Sequence, residues 1–432
     1  MSDKISSISS ALSQKEGSPV QVAGWVEDQR VLGTLLFITL RDIESSIQVV
    51  FNKKAVSGET FSCASSVPRQ SYVVVKGVTQ RSRSKIATLE LLAQSFSVVG
   101  PARHPLPLDP TGRVEANLEV RLDSRALDLR NPRVASIFRI RSGFLKYARD
   151  YLGSQGFIEV NTAKLIGAAA EGGAELFRLK YFDRDGYLAQ SPQLYKEELT
   201  LSLGRVFEVG TYFRAERSHT TRHLNEFVSL DIEAAMYGKE EAMSELERMI
   251  SEVTKRLAED YSREFERLGV SQPDAKVPFP RLTYRDAQAE IGKMGGSTKW
   301  GEDLDSESLK LLSSGRSGYY FITDWPTSIK PFYIKPSNQD SQVSESFDLM
   351  VGPLELASGG ERLSSRAELE RRILEKGLNV REFSEHLKVY DWGMPPHAGW
   401  GFGVDRFIAS ITGSSNIREA VLFPRDELRL TP

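Results

Sequence analysis

Cysteine is almost absent from this chain. Cys63 is the only one among 432 residues, so no disulfide can form within the chain and no zinc site can be built from a cysteine cluster. No apolar run reaches the ~20 residues of a transmembrane helix. Residues 1–16 are polar and rich in serine, without the apolar stretch of a signal peptide. We therefore expect a cytoplasmic protein without a membrane segment.

An excess of positive charge is also lacking, since the formal net charge is −2. A protein that binds nucleic acid can still be neutral overall if it carries local basic patches. Residues 81–85 and the arginine-rich stretch 121–141 are candidates. Taken alone, each is better explained as a solvated surface, so composition does not indicate a partner.

The usual nucleotide-binding loops are missing as well. The chain has no Gly-x-x-x-x-Gly-Lys-[Ser/Thr] sequence. Residues 401–406 begin like the dinucleotide motif Gly-x-Gly-x-x-Gly, but Arg406 stands in place of the third glycine and no complete βαβ unit follows. A dinucleotide-binding fold is therefore disfavoured.

The first hundred residues contain five short runs rich in β-branched and aromatic residues. The runs are residues 20–26, 35–38, 47–51, 72–75 and 86–92. Five strands with little helix in about 80 residues favour a small barrel of the oligonucleotide-binding (OB) type. Four prolines between residues 101 and 110 then indicate a stiff linker. We predict a first domain over 1–100, a linker over 101–133 and a second domain over 134–432.

The second domain mixes helices and strands. Apolar residues follow helical spacing over 137–155 and 239–268, and strand-like runs cover residues 206–209, 226–233, 319–323 and 347–356. Strands joined by hairpin-like loops, with helices apart from them, predict an α+β fold with a mainly antiparallel sheet flanked by helices.

An ATP site without a glycine-rich phosphate-binding loop needs cations for phosphates, an aromatic surface for adenine and carboxylates for magnesium. Residues 214–231 supply these groups together. We predict a hairpin whose first strand carries Arg214 and Glu216. Its returning strand should place Phe227, Ser229 and Asp231 on one face. An exposed hairpin with solvated charges is the alternative, and it explains the placement of Phe227 less well.

Six stretches, in order, resemble class II aminoacyl-tRNA synthetases of subclass b, and most closely the aspartyl-tRNA synthetases of the archaeal and eukaryotic type. They are residues 121–130, 171–177, 190–196, 213–233, 393–406 and 416–425. Each stretch alone is weak, but all six in order are very specific, and the resemblance extends from about residue 20 to residue 432. It implies an N-terminal five-stranded OB-type barrel that binds the anticodon, a class II catalytic domain and a homodimer. One departure is Ala163, where the first motif normally ends in proline.

The resemblance implies an ATP site residue by residue. The two catalytic arginines are Arg214, expected on the α-phosphate, and Arg406, expected near the γ-phosphate. Phe227 is expected to stack beneath adenine. The full set implied to bind ATP is Arg214, Glu216, Arg222, His223, Leu224, Phe227, Glu355, Gly403 and Arg406.

The resemblance also implies a site for L-aspartate. Lys196 and Arg362 are expected to pair with its side-chain carboxylate, because a guanidinium and an ammonium make a strong carboxylate receptor. An amide there would leave two buried cations unneutralised, which costs ~3–5 kcal/mol. The full set implied to bind aspartate is Glu171, Gln193, Lys196, Arg214, Asp231, Ser358 and Arg362.

Magnesium is implied as the cofactor that accompanies ATP. Asp348, Glu355 and Ser358 are expected to hold it, since Mg²⁺ prefers one or two carboxylates together with phosphate oxygens. From the residues alone, two ordinary strand carboxylates are the simpler interpretation.

The implied product is aspartyl-tRNA, formed with tRNA(Asp). Arg30, Phe37 and Gln48 match family positions that read the anticodon, and stacking of a base on an aromatic ring is a common way to read single-stranded RNA. The barrel core is an equally good interpretation of Phe37. Glu27 stands where archaeal relatives often have tryptophan or histidine, a position tied to telling the Asp anticodon from the Asn anticodon, so tRNA(Asn) stays open as a second substrate.

Two rival interpretations stay open. An asparaginyl- or lysyl-tRNA synthetase shares the architecture, and Lys196 with Arg362 favours aspartate over both. A non-catalytic RNA-binding scaffold on this fold would be expected to lose some of Arg214, Glu355 and Arg406. All three are present.

Overall fold

The computed structural model describes residues 4–82, 88–167, 176–217 and 220–431. The chain divides into two compact units, residues 1–135 and residues 136–432. Among the described helices, none combines the length and the apolar character needed to cross a membrane.

The first unit contains a closed five-stranded barrel. Its strands are β1 (Pro19–Leu32), β2 (Leu35–Arg41), β3 (Ser46–Asn52), β4 (Tyr72–Arg81) and β5 (Leu89–Gly100). Around the closed barrel their order is β1-β2-β3-β5-β4, and only the β3–β5 pair is parallel. The unit also contains the helices α1 (Ile8–Leu12), α2 (Gly58–Ser66), α3 (Leu118–Asp123) and α4 (Arg125–Asp128). The predicted OB-type barrel is confirmed.

Alternate residues of the barrel strands point inward and form its core. In β2, Leu36, Ile38 and Leu40 are fully buried, whereas the residues between them are only half-buried. Burying such a side chain stabilises the fold by ~1.5–3 kcal/mol. The fifth strand extends further than predicted, because its backbone pairs with β4 up to Gly100. Gln94, Ser95 and Ser97 interrupt the apolar run after Leu92, so the sequence pattern does not predict this pairing.

The second unit is built on an eight-stranded sheet. Its strands are β6 (Ile158–Glu159), β10 (Arg205–Phe213), β11 (Glu226–Ala235), β12 (Arg281–Thr283), β13 (Tyr319–Thr323), β14 (Ser346–Val351), β15 (Leu354–Glu361) and β16 (His397–Gly403). They lie in the order β12-β13-β14-β15-β16-β11-β10-β6. Only the outermost pairs, β12–β13 and β10–β6, are parallel, so the predicted mainly antiparallel sheet is confirmed. A smaller sheet contains β7 (Leu165–Ile166), β9 (Arg184–Leu188) and β8 (Arg178–Tyr181).

Helices flank this sheet. They are α5 (Pro132–Ser154), α6 (Gln193–Leu203), α7 (Lys239–Asp260), α8 (Ser262–Leu268), α9 (Tyr284–Lys293), α10 (Ser306–Ser313), α11 (Arg366–Glu375), α12 (Ser384–Val389) and α13 (Val404–Ile411). The largest core cluster packs the apolar stripes of α5 and α7 with residues of the sheet, among them Phe144, Met249 and Phe402, each fully buried. The apolar residues whose spacing predicted α5 and α7 thus lie on the face that each helix buries.

Two predicted elements are each divided in the structure. The helix expected over residues 239–268 is broken at Tyr261, whose backbone leaves the helical region. Its ring packs edge-on against Tyr147 of α5, a tertiary contact that helical periodicity does not reveal. The strand expected over residues 347–356 is a hairpin, because Gly352 adopts a positive φ of 54° and turns the chain.

Candidate active site

The middle of the eight-stranded sheet carries a row of paired residues across four neighbouring strands, three of them polar and one a glycine. In order along the row, these are Asp348, Ser358, Gly401 and Asp231. A Cβ atom at Gly401 would lie 2.8 Å from a carboxylate oxygen of Asp231. Glycine therefore leaves room for that carboxylate above β16.

A cavity of about 530 Å³ opens over this row. Most of the residues that the sequence implies for ATP or aspartate line it, namely Gln193, Arg214, Glu216, Arg222, His223, Leu224, Phe227, Asp231, Glu355, Ser358, Arg362, Gly403 and Arg406. Lys196 and Asp348 do not line the cavity, but each forms an ion pair with a residue that does. Glu171 lies outside the described residues.

Arg214 and Glu216 lie in a loop, so the strand predicted for them is wrong. β10 ends at Phe213, and the backbone N–H of Arg214 makes one further bond, to the carbonyl oxygen of Asn225 at 2.9 Å. The side-chain amide of Asn225 donates to the carbonyl oxygen of Arg214 at 2.7 Å and to that of Glu216 at 3.0 Å. These bonds brace the start of the loop, from which Arg214 reaches the cavity.

One end of the cavity gathers cations around an aromatic ring. The guanidinium of Arg214 lies over the ring of Phe227, 5.3 Å from its centroid. Nη1 of Arg406 donates to the backbone carbonyl of Glu355 at 3.0 Å. Burial and the charge of Arg406 lower the pKa of His223, so its imidazole is neutral near pH 7. Such a surface suits a planar base with a polyphosphate.

The other end rests on a buried cluster of four charged side chains. Nζ of Lys196 lies 3.2 Å from Asp231 and 3.5 Å from Glu233, while Nε of Arg362 donates to Glu233 at 3.0 Å. None of the four is more than 4% exposed. Two cations face two anions, and the expectation that an amide ligand would leave two cations unneutralised is therefore wrong. Carboxylates of the protein already neutralise both.

Two polar atoms of this cluster lack partners. Oδ2 of Asp231 is buried without a hydrogen bond from the part of the chain that the structure describes. In the same part of the chain, the hydrogen bonds of Arg362 use Nε and Nη2 and leave Nη1 without a partner. Both residues line the cavity. A buried carboxylate oxygen without a partner costs ~1–3 kcal/mol or more, so this end is arranged to accept from a cation and donate to an anion.

Asp348 is already paired with a cation of the protein, the ammonium group of Lys330. Its carboxylate accepts two hydrogen bonds from Nζ of Lys330, at 2.8 and 2.9 Å. Burial outweighs the attraction of Lys330 and raises the pKa of Asp348 to about 6. Glu355 and Ser358 on the neighbouring strand complete a donor set of two carboxylates and a hydroxyl, which fits Mg²⁺ with phosphate oxygens. Across the described ranges, no group of three or more His, Cys, Asp or Glu residues forms a further metal site.

Two carboxylates that organise the site, Glu233 and Asp405, were not predicted from the sequence. Glu233 lies two residues beyond Asp231 on the same strand, so the alternation of side chains would have placed it on the same face. Asp405 accepts from the backbone N–H of Val228 at 2.8 Å and pairs with Arg141 of α5. Arg141 and Asp405 are 264 positions apart in the chain, so no local sequence pattern predicts this pair.

In the first unit, the three predicted anticodon residues lie together on the outside of the barrel. Arg30 lies over the ring of Phe37, 5.0 Å from its centroid, and its Nη2 is 3.5 Å from Oε1 of Gln48. Phe37 is only half-buried and does not belong to the barrel core, which removes the alternative assignment. Glu27 forms a two-bond ion pair with Arg41, at 3.0 and 3.1 Å.

Two protein families match this chain along most of its length. The family described as "OB-fold nucleic acid binding domain" matches residues 20–99, and the family described as "tRNA synthetases class II (D, K and N)" matches residues 117–427. These matches correspond to the barrel and to the cavity-bearing sheet.

Individual relatives agree with the family matches. The chain is 44% identical to the aspartate–tRNA(Asp/Asn) ligase of Archaeoglobus fulgidus, over 97% of this chain and 98% of that protein. It is also 44% identical to the aspartate–tRNA(Asp) ligase of Pyrococcus horikoshii, over 96% and 97%. The asparaginyl-tRNA synthetase of Pyrococcus horikoshii, solved with asparaginyl-adenylate, superposes over 100% of both chains with a TM-score of 0.94 at 31% identity. This chain belongs to the class II tRNA synthetases of the D, K and N group.

Proposed function

We propose that this chain is an aspartate–tRNA ligase, which activates L-aspartate with ATP and transfers it to the 3′ end of tRNA(Asp). The observation that carries the proposal is the buried cluster of Lys196, Arg362, Asp231 and Glu233. Oδ2 of Asp231 can accept from the ammonium of the substrate, and Nη1 of Arg362 can donate to its side-chain carboxylate. An acidic amino acid satisfies both atoms at once.

Charge balance favours aspartate over asparagine in this cluster. The cluster holds two cations and two anions. The α-carboxylate of either amino acid is assigned to the α-phosphorus of ATP, outside the cluster. At the cluster, aspartate adds one ammonium and one side-chain carboxylate, so the balance is kept. Asparagine adds only its ammonium there, and an uncompensated buried charge costs ~3–5 kcal/mol, or at least about 100-fold in affinity. Lysine would add a second cation beside Lys196, which is more unfavourable still.

ATP is assigned to the end of the cavity that holds Arg214, Phe227 and Arg406. The α-carboxylate of aspartate attacks the α-phosphorus, aspartyl-adenylate forms and pyrophosphate leaves. Arg214 neutralises the charge that develops on the α-phosphate, and Phe227 offers its ring to adenine. The remaining ATP contacts are assigned to Glu216, Arg222, His223, Leu224, Glu355 and Gly403. No protein nucleophile is needed, because positioning and electrostatics lower the barrier.

The second step transfers the amino acid. A ribose hydroxyl of the terminal adenosine of the tRNA attacks the carbonyl of the adenylate, and AMP leaves. Gln193, Asp231 and Ser358 are assigned to holding the aspartyl group during this step, together with Glu171.

Mg²⁺ is assigned to Asp348, Glu355 and Ser358. When bound, it would neutralise charge on the phosphates of ATP. The register of the sheet supports this assignment, because Asp348 and Ser358 lie directly opposite each other on β14 and β15.

The barrel is assigned to the tRNA anticodon through Arg30, Phe37 and Gln48. Relatives named for tRNA(Asp) and relatives named for tRNA(Asp/Asn) match this chain at the same 44% identity, so identity does not choose between them. Charging of separate tRNA(Asp) and tRNA(Asn) transcripts measures whether Glu27 permits both.

A homodimer in the cytoplasm is part of the proposal. The strand β6 lies at the edge of the large sheet. Both of its residues, Ile158 and Glu159, are exposed, so this edge is available to a second copy. Domain limits are proposed at residues 1–100, 101–133 and 134–432. Analytical ultracentrifugation tests the dimer.

The proposed activity is tested by ATP–pyrophosphate exchange with aspartate, asparagine and lysine supplied separately. We expect aspartate alone to support rapid exchange, with asparagine lower in kcat/KM by at least about 100-fold. Exchange with asparagine or lysine but not with aspartate would identify the corresponding rival synthetase. No exchange with any of the three, together with retained tRNA binding, would favour the non-catalytic scaffold.

A further inference from the structure

Glu197 lies directly behind the residues assigned to aspartate. It is fully buried in α6, one residue after Lys196. Its Oε1 accepts a hydrogen bond from Nε2 of Gln193 at 2.6 Å, and its Oε2 accepts one from the hydroxyl of Tyr390 at 2.6 Å. The carboxylate therefore connects a residue of the cavity wall with the interior.

Gln193 carries an amide whose two ends are chemically different. Because an ionised carboxylate only accepts, the NH₂ group of Gln193 has to face Glu197. The NH₂ group also donates to Oε2 of Glu233, at the longer distance of 3.4 Å, and Oε1 then faces Nη2 of Arg362 at 3.5 Å. Both residues line the cavity. A substrate ammonium can donate to the amide oxygen but not to the NH₂ group, so this orientation is the one that an amino acid substrate needs.

Glu197 fixes the amide only while it is ionised, since a protonated carboxyl group could also donate. Nε2 of His386 lies 3.6 Å from Oε2 of Glu197, and Nε2 of His397 lies 3.7 Å from it. Burial alone would raise the pKa of Glu197, but the contacts with these two imidazoles outweigh burial and hold the pKa well below its usual range. Glu197 is therefore an anion at neutral pH.

We propose that Glu197 is a positioning residue for aspartate recognition, which holds the Gln193 amide with its oxygen toward the cavity. The inference rests on the proposed function, since the orientation matters only if the cavity binds an amino acid. In Glu197→Gln the side chain keeps its shape but can donate as well as accept. The Gln193 amide then keeps only its two longer contacts, with Glu233 and Arg362. The reversed orientation therefore becomes populated, and only part of the population presents the acceptor.

The test is aspartate-dependent ATP–pyrophosphate exchange with the full-length chain. Glu197→Gln should raise the KM for aspartate about 10-fold, while the KM for ATP changes less than about 2-fold. Tyr390→Phe removes only the hydroxyl that holds Oε2, so it should raise the KM for aspartate by a smaller factor. In a Gln193→Ala background, Glu197→Gln should add nothing, because the group through which it acts is gone.

Glu245→Gln is the matched control. Glu245 is a glutamate of α7 that is 1% exposed, bonded to Arg248 and absent from the cavity wall. Its replacement should leave both KM values unchanged even where it lowers thermal stability. If Glu197→Gln does not fold, Tyr390→Phe in the presence and absence of Gln193→Ala decides the question.

The positioning role would be overturned by an unchanged KM for aspartate in Glu197→Gln and Tyr390→Phe. Equal increases for aspartate and ATP would also overturn it, because they indicate general damage to the site. If the wild-type chain uses asparagine and not aspartate, the proposed function fails separately. The KM for asparagine in the same variants then decides the role of Glu197, because asparagine carries the same ammonium.

Discussion

His386 is a buried imidazole between two glutamates, and it makes the stability of this protein depend on pH. Its Nδ1 lies 2.9 Å from Glu198, and its Nε2 lies 3.6 Å from Glu197. Burial opposes protonation of His386, but the two carboxylates outweigh it and raise the pKa to about 9 from the ordinary 6.5. The folded state therefore binds this proton more tightly than the unfolded state does.

The stability from His386 is complete below about pH 6.5 and is lost as the pH rises through about 9. The loss for the wild-type chain is on the order of 3 kcal/mol. In His386→Gln this contribution is absent, so the free energy of unfolding should fall less over the same pH range. Part of the pH dependence should remain, because the pKa of His397 is also raised. Urea unfolding of both proteins at about pH 6 and about pH 9.5 measures the difference. Equal pH dependence in the two proteins would contradict the assignment.

Individual site residues differ in how far the sequence could reveal them. Phe227, Ser229 and Asp231 follow strand alternation, and the structure places all three on the cavity wall as predicted. Glu197 and Asp405 act through partners that are far away in the chain. Local pattern carries no information on such partners, because their approach depends on how the sheet and helices pack.

Among the helices, α5 offers two glycines in opposite surroundings. A Cβ atom at Gly143 would lie 2.5 Å from the ring of Tyr261, whereas one at Gly153 would meet nothing within 4 Å. The contact at Gly143 is the place where α5 and the break between α7 and α8 meet.

Gly143→Ala should therefore lower the free energy of unfolding by about 1–2 kcal/mol, because displacing Tyr261 outweighs the better helix propensity of alanine. Gly153→Ala is the matched control in the same helix, and it should raise stability by up to about 1 kcal/mol. Thermal or urea unfolding measures both. A stabilising effect of Gly143→Ala would show that the Tyr261 ring moves away without cost.

Elements with strong periodicity were the ones that could be predicted from sequence. The apolar stripes of α5 and α7 predicted where these helices lie, and the runs of β-branched and aromatic residues predicted where the barrel strands lie. The break at Tyr261 and the turn at Gly352 depend on tertiary contacts and on backbone conformation, so apolar spacing alone joined what the structure divides. For the same reason, the end of β5 could not be read from its own residues.

For the whole molecule, the barrel and the large sheet are expected to carry separable activities. Phe37 is half-buried on the barrel and lies beneath Arg30, where a base can stack. Phe37→Ala should lower the kcat/KM for charging tRNA(Asp) by about 10- to 100-fold, since stacking of a base on an aromatic ring contributes ~1–3 kcal/mol. Aspartate-dependent ATP–pyrophosphate exchange should change less than about 2-fold.

Phe61→Ala is the control for this separation. Phe61 is a partly buried aromatic of the same unit with Lys53 over its ring, but it does not belong to the predicted anticodon face. Charging should stay near the wild-type level. Loss of exchange in Phe37→Ala would mean that the barrel surface affects the chemistry of the sheet.

The position of β16 in the sheet has a consequence for synthesis on the ribosome. This strand, His397–Gly403, lies between β15 and β11, although every other strand of the sheet precedes it in the chain. Until it has left the exit tunnel, β12–β15 and β11–β10–β6 are two half-sheets with bare edges facing each other. The sheet beneath the cavity is thus incomplete until β16 has been synthesised, and the strand that joins the halves is followed by Arg406, three residues further on. The sheet and the site are completed by the same short piece of newly made chain.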